Sequence, residues 1–476
     1  MSSLTSCSES PNWTLITSKG VRSSQAISMM RLFSSSVSFN IKNVRLFICS
    51  VRQKIYQNRV KMSINKNLLF CGGFFFVVLY SLFVMRPFRS AVAAQIGTSD
   101  LTFFLLLVVL VMLIANGVYS LLVSKISESK IVLFIYGFFV TNLFLYALFN
   151  YVFPNNYWVG ASFYVWYNVF NFFVVSVFWA RAVNCFNTDD AKKYFGVVSA
   201  CGSAGAWVGS QSVYLFLSDS PMTAMLLASG TLVVGIFFSS RLITEKSSPA
   251  ATQPVAAFLP QFTEQIEQIK ANPLIQKMLF YAFVWTCLAT ALYFFGLEII
   301  NAYTDDVVVQ REVFALADSI VTPVSFLIQL FVAGFVLRSR WLGVRFVLVS
   351  YGVLFAAAFL MISGFLSDVF LSGTGVLIFL VISAVMRPFE YALNKPARES
   401  VYTTLKKEEK YKSTVFIDTF MNRFGDASGG LLFNGLVLLG VSIAAAPLAI
   451  LPLAGYLVFL GVKVSNAEKR QLESAY

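Results

Sequence analysis

The chain contains no histidine. Without an imidazole it has no side chain that ordinarily titrates near neutral pH, no HExxH zinc motif, no histidine haem ligand and no histidine proton relay. Charge is also scarce. Asp, Glu, Lys and Arg make up 12% of the residues, against roughly 25% in a soluble domain. Of six cysteines, Cys71, Cys201 and Cys287 fall in apolar segments and Cys185 in a short loop, with no CxxC pair. They read as reduced structural thiols, not as a disulfide framework or a metal site. What fills the chain is apolar: 57% of it is hydrophobic, with 49 phenylalanines. This is the composition of an integral membrane protein that needs neither cofactor nor metal.

Crossing a hydrocarbon core of about 30 Å takes about 20 apolar residues. Twelve such windows are present, near 67–85, 101–123, 131–153, 158–180, 195–217, 222–240, 278–300, 313–337, 345–366, 369–389, 415–439 and 441–463. Basic residues test the count, because they gather in alternate loops on the cytoplasmic-type side. With the N-terminus inside, the even loops should be basic, and they read SKISESK, Arg181 to Lys193, the middle connection, RSRWLGVR and KPARE to KYK. Of the 36 basic residues, Arg86, Arg89, Arg311 and Arg423 alone fall elsewhere. The fold predicted is therefore all-α, twelve transmembrane helices in a six-plus-six arrangement, with both termini on the cytoplasmic-type side. The net charge of +13 is this topological bias and does not mark a nucleic-acid partner.

Five regions follow. Residues 1–66 form a basic, Ser-rich extension resembling an organelle transit peptide in composition, the alternative being a disordered tail or an extension before a start at Met62. Residues 67–240 and 278–463 are the two six-helix bundles, and 464–476 an inner tail. The linker 241–277 carries Phe258, Leu259, Phe262, Ile266 and Ile269 at helical spacing, predicting an amphipathic strut on the membrane face. A plastid or mitochondrial inner membrane fits the extension; the plasma membrane fits its absence.

The halves look duplicated. NTDDAKKYFGVVSACGSAGAWVG, from Asn187, and LKKEEKYKSTVFIDTFMNRFGDASGG, from Leu405, each set an acid pair before a lysine: Asp189 and Asp190 before Lys193, Glu408 and Glu409 before Lys412. Each then enters a span with small residues spaced for close helix packing, Gly202, Gly205 and Gly209 in one, Gly425, Gly429 and Gly430 in the other. Matching positions in both halves imply parallel repeats, the major-facilitator plan, with a solute site at the midplane between bundles. The two loops are candidate inner gates that close by ion pairing, the alternative being ordinary solvated charges.

An ionisable group inside a span is costly, so it pairs or faces a wet cavity. The candidates are Arg86 and Arg89 in MRPFRSAV, Glu298, Asp318, Arg387 in a second MRPF, Glu390, Asp418, Arg423 and Asp426. Arg423 and Asp426 lie about one turn apart, which fits an internal salt bridge as well as a solute contact. Arg86 and Arg387, each beside a proline expected to end its helix, read as interfacial, with Arg387 a further candidate for phosphate. Arg89 has no acid near it in sequence. A guanidinium of that kind in a central cavity suits phosphate or carboxylate.

These residues resemble a known family. MRPFRSAV, SVFWARAVNCFNTDDAKKYFGVVSACGSAG and above all EYALNKPARESVYTTLKKEEKYKSTVFIDTFMNRFGDASGG look like the ATP/ADP translocases of plastids and obligate intracellular bacteria and their bacterial major-facilitator-type relatives. The likeness covers essentially all of 67–463. It implies nucleotide exchange, with Arg89 in the place of the family's basic residue after span one and Arg398 and Glu399 matching its Lys/Arg-Glu pair. Two positions depart. Tyr167 stands where the exchangers carry a glutamate, and Asp426 where they carry a lysine, which removes two units of positive charge and leaves four phosphate charges poorly matched.

Two functions remain open. One is a transporter of nucleotides or related phosphorylated anions, with Arg89, Arg387 and Arg423 on the anion and Tyr167 and Phe170 available to stack on a base. The other is a carrier of a different organic solute, coupled to protons through Glu298, Asp418 or Asp426. Both work in the bilayer, on a small-molecule substrate, as a monomer. A membrane enzyme has no support in the residues.

Overall fold

A computed structural model describes residues 66 to 473 apart from 127, 155, 187, 244–271, 340–341, 364–372 and 406–416. The extension and the linker strut lie outside the described residues. Among those described every regular element is helical. In order they are α1 (Lys66–Ile96), α2 (Thr98–Lys125), α3 (Glu128–Val152), α4 (Tyr157–Val183), α5 (Thr188–Ser212, extended by a wide π turn at Val213–Leu217) and α6 (Pro221–Arg241). The second set is α7 (Pro273–Tyr303), α8 (Val307–Leu327, running through a π turn at Ile328–Ala333 to Arg338), α9 (Gly343–Ile362), α10 (Gly373–Phe389), α11 (a π turn at Ile417–Met421, then Asn422–Leu438) and α12 (Ala446–Glu473). Helix α10 continues through a π turn, Glu390–Asn394, into Lys395–Tyr402.

Helix starts follow local chemistry. Asn156 caps α4 by accepting from the amides of Trp158 and Val159, Asn272 caps α7 from Leu274, and Asp306 caps α8 from Val308. Pro221 and Pro273 sit in the first turns of α6 and α7, where a missing N–H costs nothing. Two sequence expectations are corrected here. Pro87 and Pro388 do not end their helices: α1 runs on to Ile96 and α10 to Tyr402. The stretch from Lys395 is therefore helical at first, not the start of a loop. In a membrane a proline is tolerated because neighbouring groups take up the carbonyl it cannot serve.

Among the described residues, ten helices are long and apolar enough to cross a membrane. The two that fall short are α5 and α11, the fifth helix of each half, rich in glycine and serine. Their small residues serve contact instead of lipid. A Cβ built on Gly205 would strike the carbonyl of Phe76 in α1, and one on Gly429 the carbonyl of Cys287 in α7. The fifth helix of each half thus lies backbone to backbone on the first. Between the halves, α2 packs on α11 and α5 on α8. The second helix of one half meets the fifth of the other in both cases, as parallel repeats about a two-fold axis require. The outer surface is apolar, with Leu69, Phe103, Ile114, Phe331 and Leu438 exposed as lipid contacts.

We expect Gly205→Ala and Gly429→Ala each to destabilise by about 1–3 kcal/mol, the usual cost of overpacking. Gly117 has nothing within 4 Å of a built Cβ. Gly117→Ala should therefore leave the thermal midpoint unchanged or raised; equal midpoints for all three variants would refute the close-packing assignment.

Candidate functional site

Helices α1, α4, α7 and α10 meet between the halves, where Arg89 reaches Tyr164 and Tyr293 and Arg86 reaches Tyr391. Arg86 and Arg89 lie one turn apart on α1, about 15 and 10 Å below its outer end at 1.5 Å per residue. Arg89 is half-buried. Its Nη1 donates to the Tyr293 hydroxyl of α7 and its Nη2 to the Tyr164 hydroxyl of α4, each at 3.0 Å. The guanidinium carbon also lies 4.5 Å from the Tyr164 ring centre and 5.2 Å from that of Tyr293, so cation–π attraction helps to hold it. Its Nε is buried and has no hydrogen-bond partner. Among the described residues no carboxylate lies within ion-pair distance of Arg89. A guanidinium has five N–H donors, and this one uses few of them.

Arg86 and Arg387 are not interfacial. Both converge on Asp318 of α8: Arg387 hydrogen-bonds its Oδ1 directly, and Arg86 Nη1 approaches the same oxygen at 3.8 Å. Arg86 also reaches the Tyr391 hydroxyl at 3.4 Å. The π turn of α10 shapes this corner. It begins two residues after Pro388, and the carbonyl of Tyr391 accepts from the Gln329 side-chain amide of the π turn in α8. Two wide turns thus brace each other beside the charged cluster, as such turns do at functional sites.

Arg423 and Asp426 of α11 form an ion pair at 3.0 Å, and Asp426 accepts a further hydrogen bond from Thr290 of α7 at 3.0 Å. Among the described side chains around the seam, four guanidiniums (Arg86, Arg89, Arg387, Arg423) face two carboxylates (Asp318, Asp426), a surplus of two positive charges.

The other sequence candidates lie elsewhere. Tyr167 is 5% exposed and donates to the Leu82 carbonyl at 3.1 Å, so its hydroxyl ties α4 to α1. Phe170 is buried against Trp166 and Phe139. Neither offers a face for stacking. Tyr164 and Tyr293, which sequence reasoning passed over, hold the central positions instead. Glu298 accepts from Thr98 at 2.6 Å, more than a turn outward of Tyr293. It belongs to a polar seal at the outer end, where Asn301 donates to the Ala94 carbonyl, Asn434 to the Thr98 carbonyl and Thr102 hydroxyl, and Arg311 to the Ser218 carbonyl. Arg398 is 5% exposed and paired with Glu390 at 2.7 Å, beneath Tyr281 and Asn394 in the interior of the second half. It holds the α10 turn and is not part of a solvated loop; Glu399, its neighbour, is half-buried in the same helical segment. Glu409 and Lys412 lie outside the described residues, as do the side chains of Asp190, Lys193 and Asp418, so the inner gates stay expectations.

No protein-family profile matches the chain, and no curated protein matches its sequence. Likeness emerges in three dimensions. The solved nucleoside transporter NupG superposes with a TM-score of 0.55 at 12% identity, over 85% of this chain and 98% of that one. The POT family transporter PepTSo gives 0.58 at 11% identity, over 86% and 98%. Such identities establish the fold, a twelve-helix bundle of the major-facilitator type. The likeness to ATP/ADP translocases rests on the motifs of this sequence alone.

Proposed function

We propose that the protein is a membrane transporter that carries a small organic anion, a nucleotide or related phosphorylated compound, by alternating access of the seam to either face. The observation that carries this reading is Arg89: a guanidinium deep between the halves, held by tyrosines from both and by no carboxylate. Placing such a charge inside a membrane helix costs about 3 kcal/mol on insertion scales. Two hydroxyls and two ring faces do not neutralise it, whereas an anionic passenger would. A surplus of two charges suits a nucleoside monophosphate dianion better than ATP. Tyr164 is fully buried, but the half-buried Tyr293 ring beside the cation offers a surface for a base or sugar. That one carrier sharing this fold is a nucleoside transporter supports the reading without deciding the solute.

Liposomes loaded with unlabelled AMP should take up labelled AMP from outside faster than empty ones, with ATP a weaker competitor by about tenfold and no response to a pH gradient. Uptake of no nucleotide under any loading would overturn the proposal.

A second reading has its own support. Asp426 takes both an arginine and a threonine hydroxyl, and a proton on that carboxylate would release Arg423. On this view the chain is a proton-coupled carrier of another organic solute. Uptake driven by a pH gradient and lost in Asp426→Asn would favour it.

A further inference from the structure

We propose that Asp318 is an internal occupant of a two-arginine clamp, and that it makes the site selective for dianions over monoanions. The inference rests on the anion-transporter reading and adds its specificity. The clamp has one jaw on each half of the molecule: Arg86 on α1 and Arg387 on α10. Both address the same oxygen of Asp318. The exposures of the three side chains differ in a telling way. Asp318 is 3% exposed, while Arg86 and Arg387 are 28% and 25% exposed. The carboxylate is covered, while each of the two arginine side chains keeps about a quarter of its surface open.

The jaws are not equally held. Arg387 makes a close hydrogen bond to Asp318 and its Nε is buried without a partner. Arg86 is held more loosely, at 3.8 Å from Asp318 and 3.4 Å from Tyr391, with its guanidinium 5.2 Å from the Phe83 ring centre. Arg86 is the jaw that a passenger can draw away at little cost. It lies one turn from Arg89, so an anion bound there meets both.

Asp318 is covalently tethered and therefore competes at a high effective concentration. A singly charged solute offers the arginines nothing that the carboxylate does not already provide. A phosphate dianion offers twice the charge and three acceptor oxygens in a bidentate geometry. The buried carboxylate sets a threshold that a dianion passes and a monoanion does not. A merely structural Asp318 would set no such threshold, which separates the two roles by experiment.

The test uses the purified full chain in nanodiscs, with AMP, its monoanionic 5′-methyl phosphate ester and uncharged adenosine as probes, read by calorimetry. The wild type should bind AMP more tightly than the ester by about tenfold or more. Asp318→Asn should tighten the ester by about tenfold or more, bringing it to at least the affinity of AMP for the wild type, with adenosine unchanged. Arg86→Gln leaves the Asp318–Arg387 pair intact and should fold even if Asp318→Asn does not. It should lower AMP affinity to about that of the ester and leave adenosine alone. The clamp is overturned if Asp318→Asn weakens all three probes alike or changes none, or if Arg86→Gln binds AMP as the wild type does. A wild type that binds neither anion would instead overturn the transporter reading beneath it.

Discussion

Arg89→Gln is expected to abolish anion transport while leaving the protein folded. Tyr164 and Tyr293 each accept one hydrogen bond and each present a ring face. Glutamine can keep one of those contacts but carries no charge. Truncating one partner of a desolvated, hydrogen-bonded charge pair costs about 2–5 kcal/mol, so apparent affinity should fall by roughly 30-fold to several thousand-fold. Lysine keeps the charge but not the planar fork that spans both tyrosines; Arg89→Lys should lose about tenfold and retain measurable counterflow. The fold should survive, because no ion pair is broken and removing a membrane-buried charge relieves desolvation. Counterflow in liposomes, paired with a thermal unfolding midpoint for each variant, gives the result. A glutamine variant that transports at the wild-type rate would remove Arg89 from the solute path.

The contrast between Arg89 and the other charges shows what a sequence can and cannot say. Hydropathy and alternating basic loops define the twelve helices, because membrane thickness and the cost of translocating lysine and arginine act on local sequence. The paired glycines of α5 and α11 were legible for the same reason: close approach requires a missing side chain at a set spacing. Which charge meets which is a different question. Asp318 on α8 meets Arg86 on α1 and Arg387 on α10, three helices distant in sequence and joined by packing alone. The MRPF repeats pointed toward helix ends, since proline usually stops a helix in water, and so toward the headgroups. Within a bundle the helices continue through both prolines, and the two arginines move inward. Tyr164 and Tyr167 differ by three residues, about 60° short of a full turn. That offset decides between a side chain on the seam and one packed against α1, and composition carries no sign of it.

The second large effect concerns Arg423. Alone among the seam cations it has an acid partner on its own helix, and the pair is about one-quarter exposed. Removing one partner of a fully buried pair costs about 3–5 kcal/mol because the other charge is left behind. Partial exposure lowers this, so Arg423→Ala should destabilise by about 2 kcal/mol, with Asp426 left to Thr290. Asp426→Ala should cost less, since the Arg423 side chain is about one-quarter exposed and can extend toward its open side. If the pair is structural, the double variant Arg423→Ala/Asp426→Ala should recover most of the stability, giving a coupling of about 1–3 kcal/mol in the cycle, and should transport near the wild-type rate. If Arg423 also grips the solute, the double variant recovers stability but not transport. A pH-gradient response that disappears with Asp426 would assign the carboxylate to proton coupling. The local geometry favours the structural outcome: Arg423 is already satisfied at 3.0 Å by a carboxylate that a neighbouring helix holds in place, while Arg89, one helix away, has tyrosines and no acid. Recovery of both stability and transport in the double variant is therefore the expected result. Recovery of stability alone would move the anion site toward α11.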